Sequence, residues 1–381
     1  MALSNASCVT QLTHIRGARV LVRISANVPL ENGVVQNHFR IMRAIPTLKY
    51  LEHAGAKIIL IGHIGRDRGE TLRPVYEALK NHIAVGFVPG VVGDDVAEAV
   101  SKIEDGTCVL LENLRSHEGE VANDDEFAKT LASYADYYVN DAFSVSHREH
   151  ASIVGVPQYL PSYTGLTFKE EYTQLRTAMK PKHPSLFILG GAKFATKQPL
   201  VARYVDTYDH IFIGGALAND FFKAKGYGVG TSLVSDDVTH AAALIDTKKI
   251  LLPVDVTVQG PGEVRVTTPD DVQADESILD AGPLTHDLLS SHIQKAQSIL
   301  WNGPLGDYEH GFDTCTKSLV ARIAESTAYT IVGGGDTVAA IESLALNGKF
   351  NFLSTAGGAM LQFLERGTLP GIAAIEDTKK K

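Results

Sequence analysis

Short apolar runs that read as β-strands recur along this chain and alternate with longer segments of helical periodicity, the signature of βαβ units and parallel sheets. The residues at the carboxyl end of each run differ between the two halves. In the first half VLVRIS (20–25), KIILIGHIGR (57–66), CVLLENLR (108–115), YYVNDAF (137–143) and the adjoining HREH (147–150) lead into Arg23, His63, Arg66, Arg115 and Arg148. In the second half LFILGGAK (186–193), HIFIGGA (210–216), SILWNGPLG (298–306), YTIVGGGD (329–336) and FLSTAGGA (352–359) lead into glycines. Ligands of open α/β sheets bind outside the carboxyl ends of the strands. The pattern therefore implies two α/β halves, one offering cations to a small polyanion and the other offering bare backbone to a nucleotide.

A chain of 381 residues exceeds the size at which one core stops growing, so two domains are expected. The clearest boundary is LTFKEEYTQLRTAMKPKHPS (166–185), a charged helical segment running into Pro181 and Pro184; an ordinary crossover helix inside one large sheet is the alternative. Helical spacing is plain in HFRIMRAIPTLKYLEHAGA, where Ile41, Ile45, Leu48 and Leu51 share a face and Gly55 supplies a stop. Asn123 to Glu126 open another helix, with Phe127, Leu131 and Tyr134 on one side. No internal repeat or low-complexity tract is visible.

The net charge of −9 argues against nucleic acid or anionic membrane as partners, since such binders present a broad basic face. Cys8, Cys108 and Cys315 are odd in number and widely spaced, which excludes a disulfide framework and a zinc site and points to a reducing, cytoplasmic compartment. MALSNASCVTQL lacks the basic start and apolar stretch of a secretory leader.

Guanidinium groups match phosphate and carboxylate oxygens in bidentate fashion, so arginines converging at strand ends suit a phosphorylated acid. The competing reading pairs each arginine with a neighbouring acid such as Glu112, Asp141 or Glu149. His147 and His150 lack a third metal ligand nearby. On the other half, Lys193 and Lys197 lie one turn apart at a helix start, where phosphate is favoured. Asp336, after three glycines, suits Mg²⁺, which needs one or two carboxylates plus nucleotide phosphates. Glu309 is a candidate acceptor for ribose hydroxyls. Neither G-x-x-x-x-G-K-[ST] nor G-x-G-x-x-G occurs, and GYGVGTS fails at Thr231.

With these residues assembled, the chain resembles the phosphoglycerate kinase family over essentially its whole length. RISANVPLENG, HFRIMRAIPTLKYL, GHIGRDRGE, LLENLRSHEGE and NDAFSVSHREHAS are followed in the family's order by ILGGAK, FIGGALANDFFKAKG, LLPVDV, DAGPLT, WNGPLG, TIVGGGDT and STAGGA. The resemblance implies an α/β architecture of two Rossmann-like parallel-sheet domains joined by a hinge helix. A 3-phosphoglycerate domain would occupy 1–170, with the tail 368–381 (LPGIAAIED onward) packing back on it, and a nucleotide domain would occupy 171–367. It further implies 3-phosphoglycerate on Ser25, Asn27, Arg40, His63, Arg66, Arg115 and Arg148. Nucleotide would lie on Gly191, Lys193, Lys197, Gly215, Asn302, Pro304, Glu309, Gly335, Asp336 and Thr337, with Mg²⁺ on Asp336 and ADP or ATP as the nucleotide.

The implied reaction moves a phosphoryl group between 1,3-bisphosphoglycerate and ADP. Arg40, Lys193 and the helix starts at Gly334 and Gly357 would neutralise the migrating charge, and closure about Glu170 to Met179 would bring the ligands together. A cytoplasmic monomer acting on small molecules is expected. The chain departs from the family at three places: Ser25 replaces an aspartate, Thr196 an acid and Ala356 a glycine. A divergent binding protein that keeps the pockets with weak or no turnover is the alternative.

Overall fold

The computed structural model describes residues 3, 7–192, 194–245 and 247–378, the side chains of 194–196 excepted. The chain divides into two compact units, Met1–Thr173 with Arg366–Lys381, and Gln174–Glu365. The helix Leu166–Ala178 carries the chain from the first to the second.

The first unit is built on a six-stranded parallel sheet. Its strands are β1 (Arg19–Ile24), β2 (Lys57–Ile61), β3 (Val85–Val88), β4 (Cys108–Leu111), β5 (Tyr137–Asp141) and β6 (Ser162–Thr164), in the order β3-β4-β2-β1-β5-β6. Alternate residues of each strand enter different cores. Val20, Val22, Ile24, Ile58 and Leu60 pack with Leu48 and Leu51 on one face, and Leu21, Ile59 and Ile61 pack with Phe127 and Leu131 on the other. Covering both faces explains why the strands read as continuous apolar runs.

The two helices expected from spacing form as Phe39–His53 and Asp125–Ser133. Asp124 caps the second by accepting from Phe127 N–H at 2.8 Å, and Gly55 adopts φ +77° just past the first. The C-terminal helix Pro370–Thr378 also belongs to this unit. It buries Ile372 and Ile375, donates Gly371 N–H to Ser146 O at 2.9 Å and accepts from Ser7 Oγ at Glu376, 2.8 Å.

The second unit repeats the plan. Strands β7 (Ser185–Leu189), β8 (His210–Ile213), β9 (Ile250–Leu251), β10 (Ser298–Asn302), β11 (Tyr329–Gly333) and β12 (Phe352–Ser354) form a parallel sheet in the order β9-β8-β7-β10-β11-β12. A small antiparallel sheet of Val256–Gln259, Arg265–Thr267 and Ser277–Ala281 stands beside it. In each main sheet the chain first fills one side of a central strand and then resumes on that strand's other side. This places a crevice after β1 and β5 in the first unit and after β7 and β10 in the second, the places where such sheets take ligands.

Candidate functional site

In the first unit the crevice is formed by loops leaving β1, β2, β4 and β5. Arg40 lies on the helix Phe39–His53 rather than after a strand, yet hydrogen bonds tie it to the rest. Its Nη1 donates to Asn27 O at 2.7 Å, Asn27 Oδ1 accepts from Gly65 N–H at 2.9 Å, and Gly65 O accepts from Arg115 Nη1. Asn27, Gly65 and the two arginines thus hold one another in place. Asn113, wholly buried, fixes the same turn by donating to Ile64 O at 3.0 Å and Glu70 O at 2.8 Å.

Arg66 is exposed and Arg148 half-buried. Among the described residues none of Arg40, Arg66, Arg115 and Arg148 forms an ion pair; the nearby acids have other partners. Glu112 accepts from Thr71 Oγ1, Leu72 N–H and Asn113 N–H, all at 2.7 Å, and Asp141 accepts from Phe168 N–H at 2.9 Å. Pairing with neighbouring acids, the alternative open from the sequence, does not describe these arginines. Burial holds the Arg40 guanidinium below its ordinary range against the opposing pull of Glu171, and burial followed by Arg148 does the same to Arg115. An anionic ligand would relieve both.

Arg23 requires a correction. The sequence groups it with the cations that strand ends present, whereas it lies inside β1 with no exposed surface and donates to Ser152, Ile24 O and His63. Strand alternation, with both faces covered, turns its side chain inward. His63 is buried and its pKa is driven far below the ordinary histidine value by burial, then by Arg23, Arg115, Arg148 and His150. Its imidazole is neutral. Ser25 is half-buried, and its hydroxyl lies 2.8 Å from that of Ser144.

In the second unit the crevice is made by backbone. The loops after β7 and β10 meet so closely that a Cβ at Gly190 would lie 2.1 Å from Pro304 O, and one at Gly303 2.4 Å from Gly190 O. Only glycine permits this contact. The loops are joined by Gly190 N–H to Asn302 O and Gly191 N–H to Pro304 O, both 2.9 Å, and Leu217 N–H donates to Gly191 O at 3.1 Å. Trp301 Nε1 braces the turn by donating to Gly303 O at 2.8 Å, and Gly303 N–H donates to the buried Thr337 Oγ1 at 3.1 Å. Asn302 is buried beneath them.

Helices Gly335–Ser343 and Gly358–Arg366 start directly after Gly334 and Gly357, so their positive dipole ends lie at the carboxyl ends of β11 and β12. Ala356, where the resemblance would have a glycine, is 1% exposed, and its carbonyl accepts from Ala359 N–H. Lys197 donates Nζ to Gly190 O. Burial pulls its pKa down to about 8, with Asp336 opposing. The Asp336 carboxyl is pushed up by burial and by Glu309, against Lys197. Lys193 lies outside the described residues, as does the side chain of Thr196.

These groups open onto a cleft of about 460 Å³ whose lining includes Gly191, Gly215, Pro304, Glu309 and Asp336. Its other wall was not legible in sequence. Phe222, Leu233, Pro253, Val256 and Leu279 supply an apolar face from a helix, loops and the small antiparallel sheet, with Asp280 beside them. LLPVDV and DAGPLT carry part of this wall, but nothing in their composition marks it as ligand-facing. Asp280, raised to about 6 by burial, accepts from Ala281 N–H and Cys315 N–H, and so anchors the helix Thr314–Ala324. Among the described residues no cluster of three His, Cys, Asp or Glu side chains is gathered for a metal.

A polar anion crevice and an apolar cleft with a glycine floor are the geometry against which known proteins can be compared. The profile of the phosphoglycerate kinase family matches residues 9–367. The phosphoglycerate kinase of Dictyoglomus turgidum is 41% identical, covering 95% of this chain and 96% of that protein, and that of Caulobacter vibrioides is 42% identical, covering 95% and 97%. Among solved structures, phosphoglycerate kinase from Coxiella burnetii superposes with a TM-score of 0.83 at 34% identity, covering 97% of this chain and 98% of the other. The Pyrococcus horikoshii enzyme gives 0.87 at 28% identity, covering 98% and 99%. Likeness of this extent in sequence and in structure places the chain in the phosphoglycerate kinase family.

Proposed function

We propose that the first unit binds 3-phosphoglycerate through Ser25, Asn27, Arg40, His63, Arg66, Arg115 and Arg148, and that the cleft of the second binds ADP or ATP. The reaction is reversible transfer between 1,3-bisphosphoglycerate and ADP, giving 3-phosphoglycerate and ATP, the work of a kinase with a carboxyl acceptor. The observation that carries this reading is the set of four arginines around one crevice of an acidic chain that form no ion pair among the described residues. Uncompensated cations held together by Asn27 and Gly65 are costly unless a polyanion completes them.

Run towards 1,3-bisphosphoglycerate, the nucleophile is a carboxylate already ionised at neutral pH, so no general base is needed. Catalysis then rests on alignment and on neutralising the migrating charge. Arg40 supplies a cation from the acid side. Lys193 and Lys197, with the helix N-termini after Gly334 and Gly357, supply donors from the nucleotide side. The apolar wall takes the base, the glycine floor lets the phosphates reach backbone N–H groups, and Glu309 accepts from ribose.

Asp336 suits Mg²⁺: its carboxyl is held against ionisation by burial and by Glu309, a penalty that a bound cation removes. When bound, Mg²⁺ offsets charge on the nucleotide phosphates. Because the two ligands belong to different units, transfer needs a hinge, which we assign to Glu170–Met179. No described helix is long and apolar enough to cross a membrane, and Cys8, Cys108 and Cys315 are free and buried, which supports a reducing cytoplasm.

The test is ATP formation from 1,3-bisphosphoglycerate and ADP, coupled to a hexokinase readout. Turnover comparable to ordinary kinases, roughly 1–100 per second, is expected. Binding of both ligands without turnover would overturn the assignment.

A further inference from the structure

The buried charge of Arg23 is linked through Ser152 to the buried Glu120. Arg23 donates Nε to Ser152 Oγ at 3.0 Å, Nη1 to Ile24 O at 2.5 Å and Nη2 to His63 Nδ1 at 2.7 Å. A guanidinium has donors only, so every one of these partners must accept. Ser152 Oγ, accepting from Arg23, turns its own proton to Glu120 Oε1 at 2.7 Å, while Ser152 N–H donates to Glu120 Oε2 at 2.9 Å. Glu120 is 1% exposed. Burial pushes its carboxyl up, but His150, Arg23 and Ser152 outweigh this and hold it below the ordinary range. It is an ionised acceptor at the end of the chain.

The direction of every proton in the series is thereby set. Glu120 can only accept from Ser152, and Arg23 can only give, to Ser152 on one side and to His63 on the other. His63 Nδ1 carries the lone pair, so its ring proton sits on Nε2. The opposite tautomer would set an N–H against the Arg23 guanidinium.

We infer that Glu120 is a positioning residue for the acid substrate: through Ser152 and Arg23 it holds His63 as the Nε2–H tautomer, the form that donates to a phosphorylated acid. The inference rests on His63 being a substrate ligand, as proposed above. A ring with its lone pair on Nε2 would repel an anionic oxygen instead of binding it. The charged and titratable groups around His63 and its support are Arg23, Arg115, Arg148, His150, Glu120 and Tyr138, whose hydroxyl donates to Ser152 O at 2.6 Å.

The experiment uses the full chain labelled with ¹⁵N-histidine. Long-range proton–nitrogen correlation is expected to show His63 neutral with its proton on Nε2 from pH 6 to 8 without ligand. Ser152→Ala removes the hydroxyl that joins Arg23 to Glu120. In it Arg23 Nε loses its acceptor and the guanidinium is free to turn away from His63 Nδ1, so the His63 signals should move to a mixture of tautomers, and the KM for 3-phosphoglycerate should rise about 10-fold with kcat and the KM for ATP nearly unchanged. Glu120→Gln should do the same where it folds. A protonated or Nδ1–H His63 in the unaltered chain would overturn the relay. So would a Ser152→Ala chain with the parent's tautomer and KM. An unaltered KM for 3-phosphoglycerate in His63→Ala would overturn the role of His63 as a ligand, whatever tautomer the relay sets.

Discussion

Arg40 reaches the anion crevice through one hydrogen bond to Asn27 O, and its charge is balanced by no ion pair among the described residues. Arg40→Ala should therefore lower kcat by roughly 100- to 1,000-fold, the usual loss when one preorganised cation or donor is removed. The Kd for ADP, measured by calorimetry, should stay within about 2-fold of the parent value, since the second unit's cleft has no part in the change. Lys197 allows a sharper test because its pKa of about 8 lies well below the ordinary lysine value. Raising pH through 8 removes its charge in the free protein, so the KM for ADP should climb above that pH. Lys197→Arg, charged throughout, should flatten the rise. Arg40 and Lys197 were both visible in the sequence as residue types in suitable places. Glu120 and Ser152 were not, because a buried carboxylate and a serine acquire meaning only from the guanidinium between them and His63.

Strands and helices were legible where one pattern governs them. Ile41, Leu48 and Leu51 fall on one helical face because each meets the same side of the sheet, and Asp124 caps because its side chain reaches a first-turn amide. The start of the helix Leu166–Ala178 is different. Its first-turn amides Leu166 and Phe168 donate to Thr47 Oγ1 and Asp141 Oδ1, both at 2.9 Å, from residues far away in sequence. Burial raises the Asp141 carboxyl to about 6, above the ordinary aspartate value of 3.8. The folded state therefore holds that proton more tightly than the unfolded chain does. The resulting stabilisation is full below 3.8 and is lost as pH rises through 6. Between pH 7.5 and 4 the parent should accordingly gain on the order of 2 kcal/mol relative to Asp141→Asn. Denaturant unfolding at several pH values would show the gap between the two chains closing on acidification; a constant gap would refute the assignment.

At the scale of the molecule, the first unit is not one continuous stretch of chain, since Arg366–Lys381 completes it. The helix Pro370–Thr378 buries Ile372 and Ile375 and accepts from Ser7. Removing residues 370–381 should cost the first unit roughly 3–6 kcal/mol, taking about 1.5–3 kcal/mol for each buried isoleucine. Hydrogen exchange should quicken across β1, β5 and β6, and 3-phosphoglycerate affinity should fall. The second unit should keep its exchange protection and its affinity for ADP. Equal loss in both units would contradict the division.

The sequence by itself determined the α/β class, the two halves and the difference in what their strand ends offer, because hydrophobic period and glycine placement are local properties of the chain. The ordered motifs carried the family as well. Only the tertiary structure decided which cations work together. Arg23 and Arg115 look alike as letters after apolar runs, but strand alternation buries the first against His63, while the loop after β4 leaves the second beside Gly65. Likewise the apolar wall of the second unit's cleft comes from residues scattered from Phe222 to Leu279. Their convergence depends on how sheets and helices pack, and packing is a relation between distant segments that no local period records.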